Sequence, residues 1–388
     1  MAAVLLPAAV LADVTVEKIR LNAGSTKARL VLELADKVNF NVFSLNNPPR
    51  IVADLPILTW PDNMTDKSGG FVKAVRFGQF SSDTSRVVID VSGPTKIAKS
   101  FLISPTAGFP YRLVIDLEKT SDEIFNKQVQ AGRAARKSRA VANPISPRAY
   151  TPAPQKRQGK QIVVIDAGHG GVDPGALGRK AREKNITLRF AKIFAQQLRA
   201  TGKYQVYLTR NHDVYIPLRQ RVNIAHKHKA DLFISIHADA IRKKSVRGMS
   251  VYTLSEVASD KEAAALARKE NKSDILAGVD FGDHPPVVNT ILLDLAQRAA
   301  KNSAAEFANL VVDKARHSTK LLERTHRFAG FRVLKSPDVP SVLIELGFLT
   351  NRKDEKQLLS KNWNKKVANS LVQAVDAFFM RDKVAKAN

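Results

Sequence analysis

Three short apolar runs in this chain each lead into a histidine or a glutamate. The three pairs are Ile162–Asp166 with His169, Leu232–Ile236 with His237, and Val342–Ile344 with Glu345. Each run has the length and the apolar content of a buried strand. In an open α/β sheet, polar groups at the carboxyl ends of parallel strands meet at one edge, and ligands bind there. We therefore expect these three side chains to lie close together and to form a site.

The second half of the chain alternates predicted strands with predicted helices. Strands are predicted at Gln161–Asp166, Gln205–Thr209, Leu232–Ile236, Met249–Thr253 and Val342–Ile344. Helices are predicted at Asn185–Ala200, Leu218–Ala225 and about Asn362–Met380. This alternation predicts an α/β domain over residues 161–388, with a mostly parallel sheet flanked by helices. Glu183 then lies just ahead of a helix, on a rigid element.

The first half of the chain has a period of two residues, which is typical of strands with one buried face. The pattern occurs twice as a pair of runs. The first pair is Ala28–Leu34 and Pro49–Leu55, and the second is Ser85–Val91 and Tyr111–Leu117. Turn-forming Asn, Gly and Pro residues separate these runs. The repeat predicts an all-β sandwich over residues 13–118, with no cluster of catalytic side chains in it.

The two ends of this first half have a different composition. Residues 119–160 lose the apolar periodicity and are rich in Ala, Pro, Ser and basic side chains, which predicts a mobile basic linker. Residues 1–12 are almost wholly apolar and close on Val10-Leu11-Ala12, which is typical of the remnant of a signal peptide; an apolar first strand is the alternative. The run is shorter than the roughly 20 residues that cross a bilayer, so no stable membrane span is expected.

The charge of the chain points to an anionic partner. A net charge of +26 and a pI near 10.2 favour binding to nucleic acid, to an anionic membrane surface or to a cell-wall polymer. No helix-turn-helix, zinc-finger or RNP pattern accompanies the charge, so nucleic acid is not expected. The chain has no cysteine, which excludes disulfides, thiolate metal sites and a cysteine nucleophile.

Without cysteine, a metal ion must be held by histidine and carboxylate, and His169, Glu183 and His237 supply such a set. A catalytic zinc site typically has three protein ligands and leaves a fourth position for water, whose pKa falls towards about 7. His169 lies in Asp166-Ala-Gly-His-Gly-Gly171, where glycines permit a tight turn. A lone histidine after a strand is more often structural, and a glutamate between Arg182 and Lys184 is more often solvated. The residue types alone leave those alternatives open.

Four stretches of the second half together resemble one enzyme family. They are Asp166–Ala176, Arg182–Leu188, Ala230–Asp239 and Pro340–Asn351. In this order they resemble the zinc-dependent N-acetylmuramoyl-L-alanine amidases of the amidase-3 family. The resemblance implies that His169, Glu183 and His237 bind Zn²⁺. It also implies that Glu345 is the catalytic carboxylate. The chain departs from the family at His226, where an asparagine is usual, which puts any supporting role of that position in doubt.

The β-sandwich of residues 13–118 resembles the AMIN domain, a targeting module found in front of periplasmic cell-wall amidases. The two resemblances imply hydrolysis of the amide bond between N-acetylmuramic acid and the L-alanine of peptidoglycan stem peptides, in cell-wall remodelling and daughter-cell separation. They also imply secretion into the periplasm of a Gram-negative bacterium. A zinc peptidase or deacetylase acting elsewhere on the wall shares this chemistry and is the alternative. An inactive peptidoglycan-binding protein would lack one of the four site residues, and all four are present.

Residues 255–328 form a long insertion with two amphipathic helical patterns, Ser259–Asn271 and Val288–Lys314. A long structured insertion beside an active site is often a lid. The cell-separation amidases that the chain resembles carry a helical insertion there, which covers the zinc until a LytM-domain activator displaces it. By that resemblance, Glu270 is the first candidate for an autoinhibitory zinc contact. A helical surface with no regulatory role is the alternative.

Overall fold

The computed structural model describes residues 14–140 and 159–385, except for residues 62–63, 65–66, 107 and 280–290. The chain divides into two compact units, one within residues 1–147 and one within residues 148–388. The predicted signal remnant and residues 141–158 of the predicted linker lie outside the described residues.

The N-terminal unit is a sandwich of two five-stranded sheets. Its strands are β1 Val14–Ala23, β2 Lys27–Leu34, β3 Asn41–Leu45, β4 Arg50–Leu55, β5 Leu58–Thr59, β6 Lys67–Gly69, β7 Val72–Gln79, β8 Ser85–Val91, β9 Thr95–Ile103 and β10 Tyr111–Lys119. The sheet orders are β5-β1-β2-β10-β9 and β3-β4-β8-β7-β6. Alternate residues such as Leu30 and Leu32 of one sheet pack against Ile51 and Ile89 of the other. This arrangement confirms the predicted all-β domain.

A helix follows this sandwich, so the prediction of a mobile linker beginning at residue 119 is wrong for residues 122–140. Helix α1 spans Asp122–Ala140. Phe125 and Val129, four residues apart, are 2% and 1% exposed. Gln128 Oε1 accepts hydrogen bonds from the amide of Ile97 and the hydroxyl of Ser44, both at 3.1 Å. Two buried side chains and the side-chain amide of Gln128 therefore hold the helix against the sandwich, where Gln128 contacts β3 and β9.

The C-terminal unit contains a six-stranded sheet with helices on both faces. Its strands are β11 Gln161–Ala167, β12 Tyr204–Leu208, β13 Leu232–His237, β14 Met249–Leu254, β15 Leu321–Ala329 and β16 Ser341–Glu345. Its helices are α2 Glu183–Ala200, α3 Leu218–Lys227, α4 Lys261–Glu270, α5 Ser273–Leu276, α6 Ile291–Ala315, α7 Arg352–Leu359 and α8 Lys361–Ala385, with a 3₁₀ turn at Arg332–Leu334.

The sheet order is β12-β11-β13-β16-β14-β15, and β14 runs antiparallel to β16 while the other neighbours are parallel. Val163 and Ile165 face the core formed with α2, α6 and α8, whereas Ile162 and Val164 face the core beneath α3 and α4. Burial of both faces explains why β11 reads as a continuous apolar run. The predicted α/β fold with a mostly parallel, helix-flanked sheet is confirmed.

Three elements of this unit differ from the sequence predictions. The helix expected from Asn185 begins at Glu183, which therefore lies in its first turn. The insertion predicted as helical over residues 255–328 ends in an edge strand, β15, that pairs parallel with β14. Helix α7 was not predicted at all. Within the described residues, no helix is long and apolar enough to cross a membrane.

Candidate metal centre

Three predicted metal ligands converge at the carboxyl edge of the sheet. His169 follows β11, Glu183 opens α2, and His237 ends β13. One ligand atom from each lies within 4.8 Å of the others. Glu183 Oε1 is 3.0 Å from His169 Nε2 and 3.1 Å from His237 Nδ1. All three residues are buried, at 5%, 0% and 5% exposure.

The donor set fits a zinc ion. Two imidazole nitrogens and one carboxylate oxygen are ligands that zinc takes in catalytic sites, with one position left open. Among the described residues, the buried His169 Nε2 has no hydrogen-bond partner although carboxylate oxygens surround it. A buried nitrogen without a partner costs free energy unless something else satisfies it. A cation between these three side chains would do so.

Neighbouring groups hold two of the three ligands, His169 and Glu183, in their orientation. His169 Nδ1 is 2.9 Å from Asp173 Oδ2, and Asp173 also accepts the hydroxyl of Ser273. The two oxygens of Glu183 accept the amides of Ala176, at 2.7 Å, and Ala238, at 2.9 Å. Partners on the far side of a metal ligand fix its geometry and its protonation. His169 and Glu183 are thus positioned before any ion binds.

Two glycines leave room for the ligands. A Cβ added to Gly168 would lie 2.5 Å from the ring of His237. A Cβ added to Gly175 would lie 2.7 Å from both Glu183 and His169, and its φ of +66° disfavours other residues as well. The glycines of the first motif therefore serve the close approach of backbone to the site.

A buried ion pair supports the loop that carries His169. Arg221 of α3 donates to Asp166 Oδ1 at 2.8 Å and to the carbonyl oxygen of His169 at 2.9 Å. Ser235 donates to Asp166 Oδ2 at 2.6 Å. Sequence reasoning did not identify Asp173 or Arg221 as supports. Asp173 lies inside the first motif, whereas the spacing of Arg221 gives no local signal.

Glu345 lies beside this centre but not within the group of converging ligand atoms. It ends β16 and is paired in register with His237 of β13. It is fully buried, and its Oε2 accepts the amide of Asp239 at 2.9 Å while its Oε1 has no hydrogen-bond partner among the described residues. Burial, followed by the charges of Asp239 and Glu183, raises its pKa well above the usual value for a glutamate. A free carboxylate oxygen that readily holds a proton suits proton transfer.

Glu270 of the insertion reaches the same centre. It ends α4 and is 5% exposed. Its Oε2 lies 3.3 Å from His169 Nε2 and 3.3 Å from His237 Nδ1, so it faces the same atoms as Glu183. The cavity beside these side chains has a volume of about 10 Å³, which is about enough for one water.

Two further contacts hold this part of the insertion. Lys269 forms an ion pair with Asp239, two residues after His237. Asp274 of α5 accepts the hydroxyl of Tyr215 at 2.6 Å and the amide of Leu218 at 2.8 Å. The insertion is therefore bound on both sides of Glu270. These anchors were not expected from the sequence.

His226, where the chain departs from the family pattern, contacts other residues. Its Nε2 lies 2.6 Å from Ser336 Oγ and 3.2 Å from Asp338 Oδ1. Neither partner belongs to the metal centre, and no supporting role for His226 follows.

Comparison with known proteins matches both units. The family model of N-acetylmuramoyl-L-alanine amidase matches residues 163–377, and the model of the AMIN domain matches residues 18–106. N-acetylmuramoyl-L-alanine amidase AmiC of Escherichia coli O6:H1 is 33% identical over 372 residues, which cover 93% of this chain and 88% of that protein. AmiC of Neisseria meningitidis serogroup B is 33% identical over 365 residues, covering 91% and 87%.

A third relative matches the C-terminal unit. N-acetylmuramoyl-L-alanine amidase AmiA of Escherichia coli K12 is 40% identical over 230 residues, which cover 59% of this chain and 79% of that protein. The resemblance inferred from the four motifs is thereby confirmed. The chain belongs to the N-acetylmuramoyl-L-alanine amidase family and carries an AMIN domain ahead of its amidase domain.

Proposed function

We propose that this peptidoglycan amidase is zinc-dependent and cleaves the bond between N-acetylmuramic acid and the L-alanine of the stem peptide. In this proposal His169, Glu183 and His237 bind the ion. The observation that carries it is the convergence of their three ligand atoms within 4.8 Å, at a buried position where His169 Nε2 has no hydrogen-bond partner among the described residues.

The chain's own residues would divide the remaining work. Zinc, when bound, would polarise the amide carbonyl and lower the pKa of a water molecule. Glu345 would accept the proton of the attacking water on its free Oε1 and deliver it to the departing alanine amine. The amide of Asp239 holds the other oxygen of Glu345 and fixes the direction of the free one. Asp173 keeps the His169 ring turned so that Nε2 faces the centre.

We further propose that the resting enzyme is autoinhibited by Glu270. Two distances of 3.3 Å support this, because they bring the Glu270 carboxylate to the histidine nitrogens that would bind the ion. The cavity of about 10 Å³ supports it as well, since an amide with its flanking sugar and peptide cannot enter that space. Release would require a partner that moves α4, for which a LytM-domain activator is our proposal.

The proposed setting is cell-wall remodelling and daughter-cell separation in the periplasm of a Gram-negative bacterium. The AMIN domain and the AmiC relatives support a periplasmic cell-wall enzyme. The charge of +26 suits an anionic wall or membrane surface nearby.

Mass spectrometry of digested sacculi tests the proposed reaction. Zinc-loaded protein with Glu270→Ala should release free stem peptides that begin with L-alanine, and the glycan strands should stay intact. Treatment with a chelator should stop the release, and zinc should restore it. Cleavage inside the peptide would indicate a peptidase instead, and loss of acetyl groups would indicate a deacetylase.

A further inference from the structure

A cavity with a basic lining lies in the C-terminal unit. Its volume is about 750 Å³. Four of its lining residues, Arg179, Lys244, Arg352 and Lys353, are exposed cations. We call these four residues with their cavity the basic pocket.

The loops of the basic pocket come from the same sheet edge as the metal centre. They follow β11, β13 and β16, the strands that lead to His169, His237 and Glu345. Hydrogen bonds connect them to the site. The amide of Leu349 donates to the carbonyl oxygen of Asp239 at 2.7 Å, and the amide of Asp239 donates to Glu345.

Glu355, which lines the basic pocket, and its neighbour in sequence Asp354 already have partners, and Asp354 also pairs with Arg247 of the lining. Glu355 is 6% exposed, and its Oε1 accepts the amides of Lys180, at 2.6 Å, and Ala181, at 3.2 Å. Asp354 is 3% exposed and accepts the amides of Gly248, at 2.8 Å, and Phe348, at 3.1 Å. These carboxylates tie the loops together and do not pair with the four cations.

The side chains of the four cations are not used in polar contacts within the described fold. Within the described ranges, none of their side chains has a hydrogen bond or an ion pair. Arg352 and Lys353 also open helix α7, directly after its N-cap Asn351. Positive charge is unfavourable there because the helix dipole is positive at that end. Fold stability therefore does not explain these two residues, and a bound anion would.

We propose that the basic pocket binds carboxylates of the peptide stem and so helps to select the peptidoglycan substrate. This inference rests on the amidase function proposed above. An acidic stem peptide offers several carboxylates on a short chain, including the α-carboxylate of a glutamate linked through its side chain. Several cations around an open cavity match such a ligand better than the uncharged hydroxyls of the glycan. None of the lining residues comes from the described part of the insertion 255–328, so that part of the insertion leaves the pocket open.

The test is a titration of full-length protein with the tripeptide L-alanyl-γ-D-glutamyl-diaminopimelate, followed by calorimetry. A pocket variant carries Arg179→Gln, Lys244→Gln, Arg352→Gln and Lys353→Gln. A control variant loses the same charge at four exposed lysines of α2 and α8, through Lys192→Gln, Lys361→Gln, Lys365→Gln and Lys366→Gln. Thermal melting shows that both variants are folded.

The pocket variant should bind the tripeptide about tenfold more weakly or worse, whereas the control variant should change less than about twofold. The same tripeptide with all carboxylates amidated should bind the parent protein as weakly as the free acid binds the pocket variant. Equal weakening in both variants would show non-specific charge attraction and overturn the proposal. Unchanged binding in the pocket variant, or equal binding of the amidated peptide, would also overturn it.

Titration separates this proposal from the proposed reaction, because binding of a product peptide needs no turnover. Protein that binds the tripeptide through the pocket but releases no stem peptide from sacculi would reject the reaction and keep the pocket. If the parent protein releases stem peptides and the pocket variant binds the tripeptide normally, the proposed reaction is kept and the pocket is rejected.

Discussion

His169 and Glu345 are buried at the same edge of the sheet, and their different surroundings support the two different roles proposed for them. His169 Nε2 faces the other ligand atoms, and its Nδ1 is held by Asp173. Glu345 is held through one oxygen only, and burial raises its pKa. A ligand is needed for the ion to bind, whereas a proton carrier is needed only while the reaction proceeds.

Substitutions at these two positions should therefore fail in different ways. We expect His169→Ala to lose bound zinc and activity together. Glu345→Gln should keep zinc and lose turnover by roughly 10²- to 10⁴-fold, because only the proton transfer is removed. Elemental analysis beside stem-peptide release measures both, in the parent chain and with Glu270→Ala. Glu323→Gln, at an exposed position of β15, is the control, and near-normal hydrolysis by Glu345→Gln would refute its role.

The site residues differ in how well the sequence reveals them. His237 and Glu345 end apolar runs, so strand ends in the sequence already indicate them. Arg221 and Asp166 are 55 positions apart, and only the fold shows that they pair. Local patterns identify the ends of elements, but long-range pairs depend on the packing that the patterns do not specify.

Helix α4 presents Glu270 to the metal centre and Glu262 to solvent. Glu262 is an exposed residue in the first turn, and Glu270 is buried at the last. One helix thus carries both the carboxylate that we propose as the block and a matched glutamate for comparison.

We expect Glu270→Ala to raise turnover without an activator, because the histidine nitrogens then become accessible. Glu262→Ala should leave turnover at the parent level. Stem-peptide release from sacculi, normalised to bound zinc, is the measurement. Where the helix also blocks the cleft by its bulk, excision of α4 and α5 is needed in addition. If neither Glu270→Ala nor excision of α4 and α5 raises turnover in a folded, zinc-loaded protein, autoinhibition is refuted.

Helix α1 is an integral part of the N-terminal unit. Phe125 is 2% exposed, whereas its neighbour Ile124 is 50% exposed. We expect Phe125→Ala to destabilise this unit by about 3–5 kcal/mol and Ile124→Ala to change it by less than about 0.5 kcal/mol. Denaturation followed by the fluorescence of Trp60, in a Trp363→Phe background, reports on this unit alone. Equal stability of both variants would mean that α1 is not anchored.

Helix α1 and strand β15, which the sequence did not predict, both have a weak hydrophobic pattern. Over residues 122–135, where its side chains are described, helix α1 buries only Phe125 and Val129. Its sequence therefore lacks a long apolar stripe that would predict a helix. Strand β15 is an edge strand, and its Leu-Leu-Glu-Arg-Thr-His-Arg-Phe-Ala run mixes polar and apolar residues without strict alternation. By contrast, β11 and β13 are buried on both faces, and their continuous apolar runs are unambiguous. The predictability of an element here follows how much apolar surface it buries.

At the scale of the whole molecule, we expect the two units to carry separate tasks. The amidase unit holds the converging ligand atoms, and the described part of the N-terminal unit has no such group. We expect the protein truncated after residue 140 to bind purified peptidoglycan without hydrolysing it. Sedimentation with sacculi measures binding. Retention that disappears entirely in moderate salt would indicate general attraction by basic charge instead.

The proposed block by Glu270 is supplied by the same chain that it inhibits. Helix α4 follows β14 after only residues 255–260, and β14 pairs with β16, the strand that ends in Glu345. A tethered group acts at an effective concentration set by its tether and not by the amount of protein in solution. The blocked fraction should therefore be equal in nanomolar and in micromolar enzyme, and specific activity should not change on dilution. A rise on dilution would mean that a second molecule supplies the block.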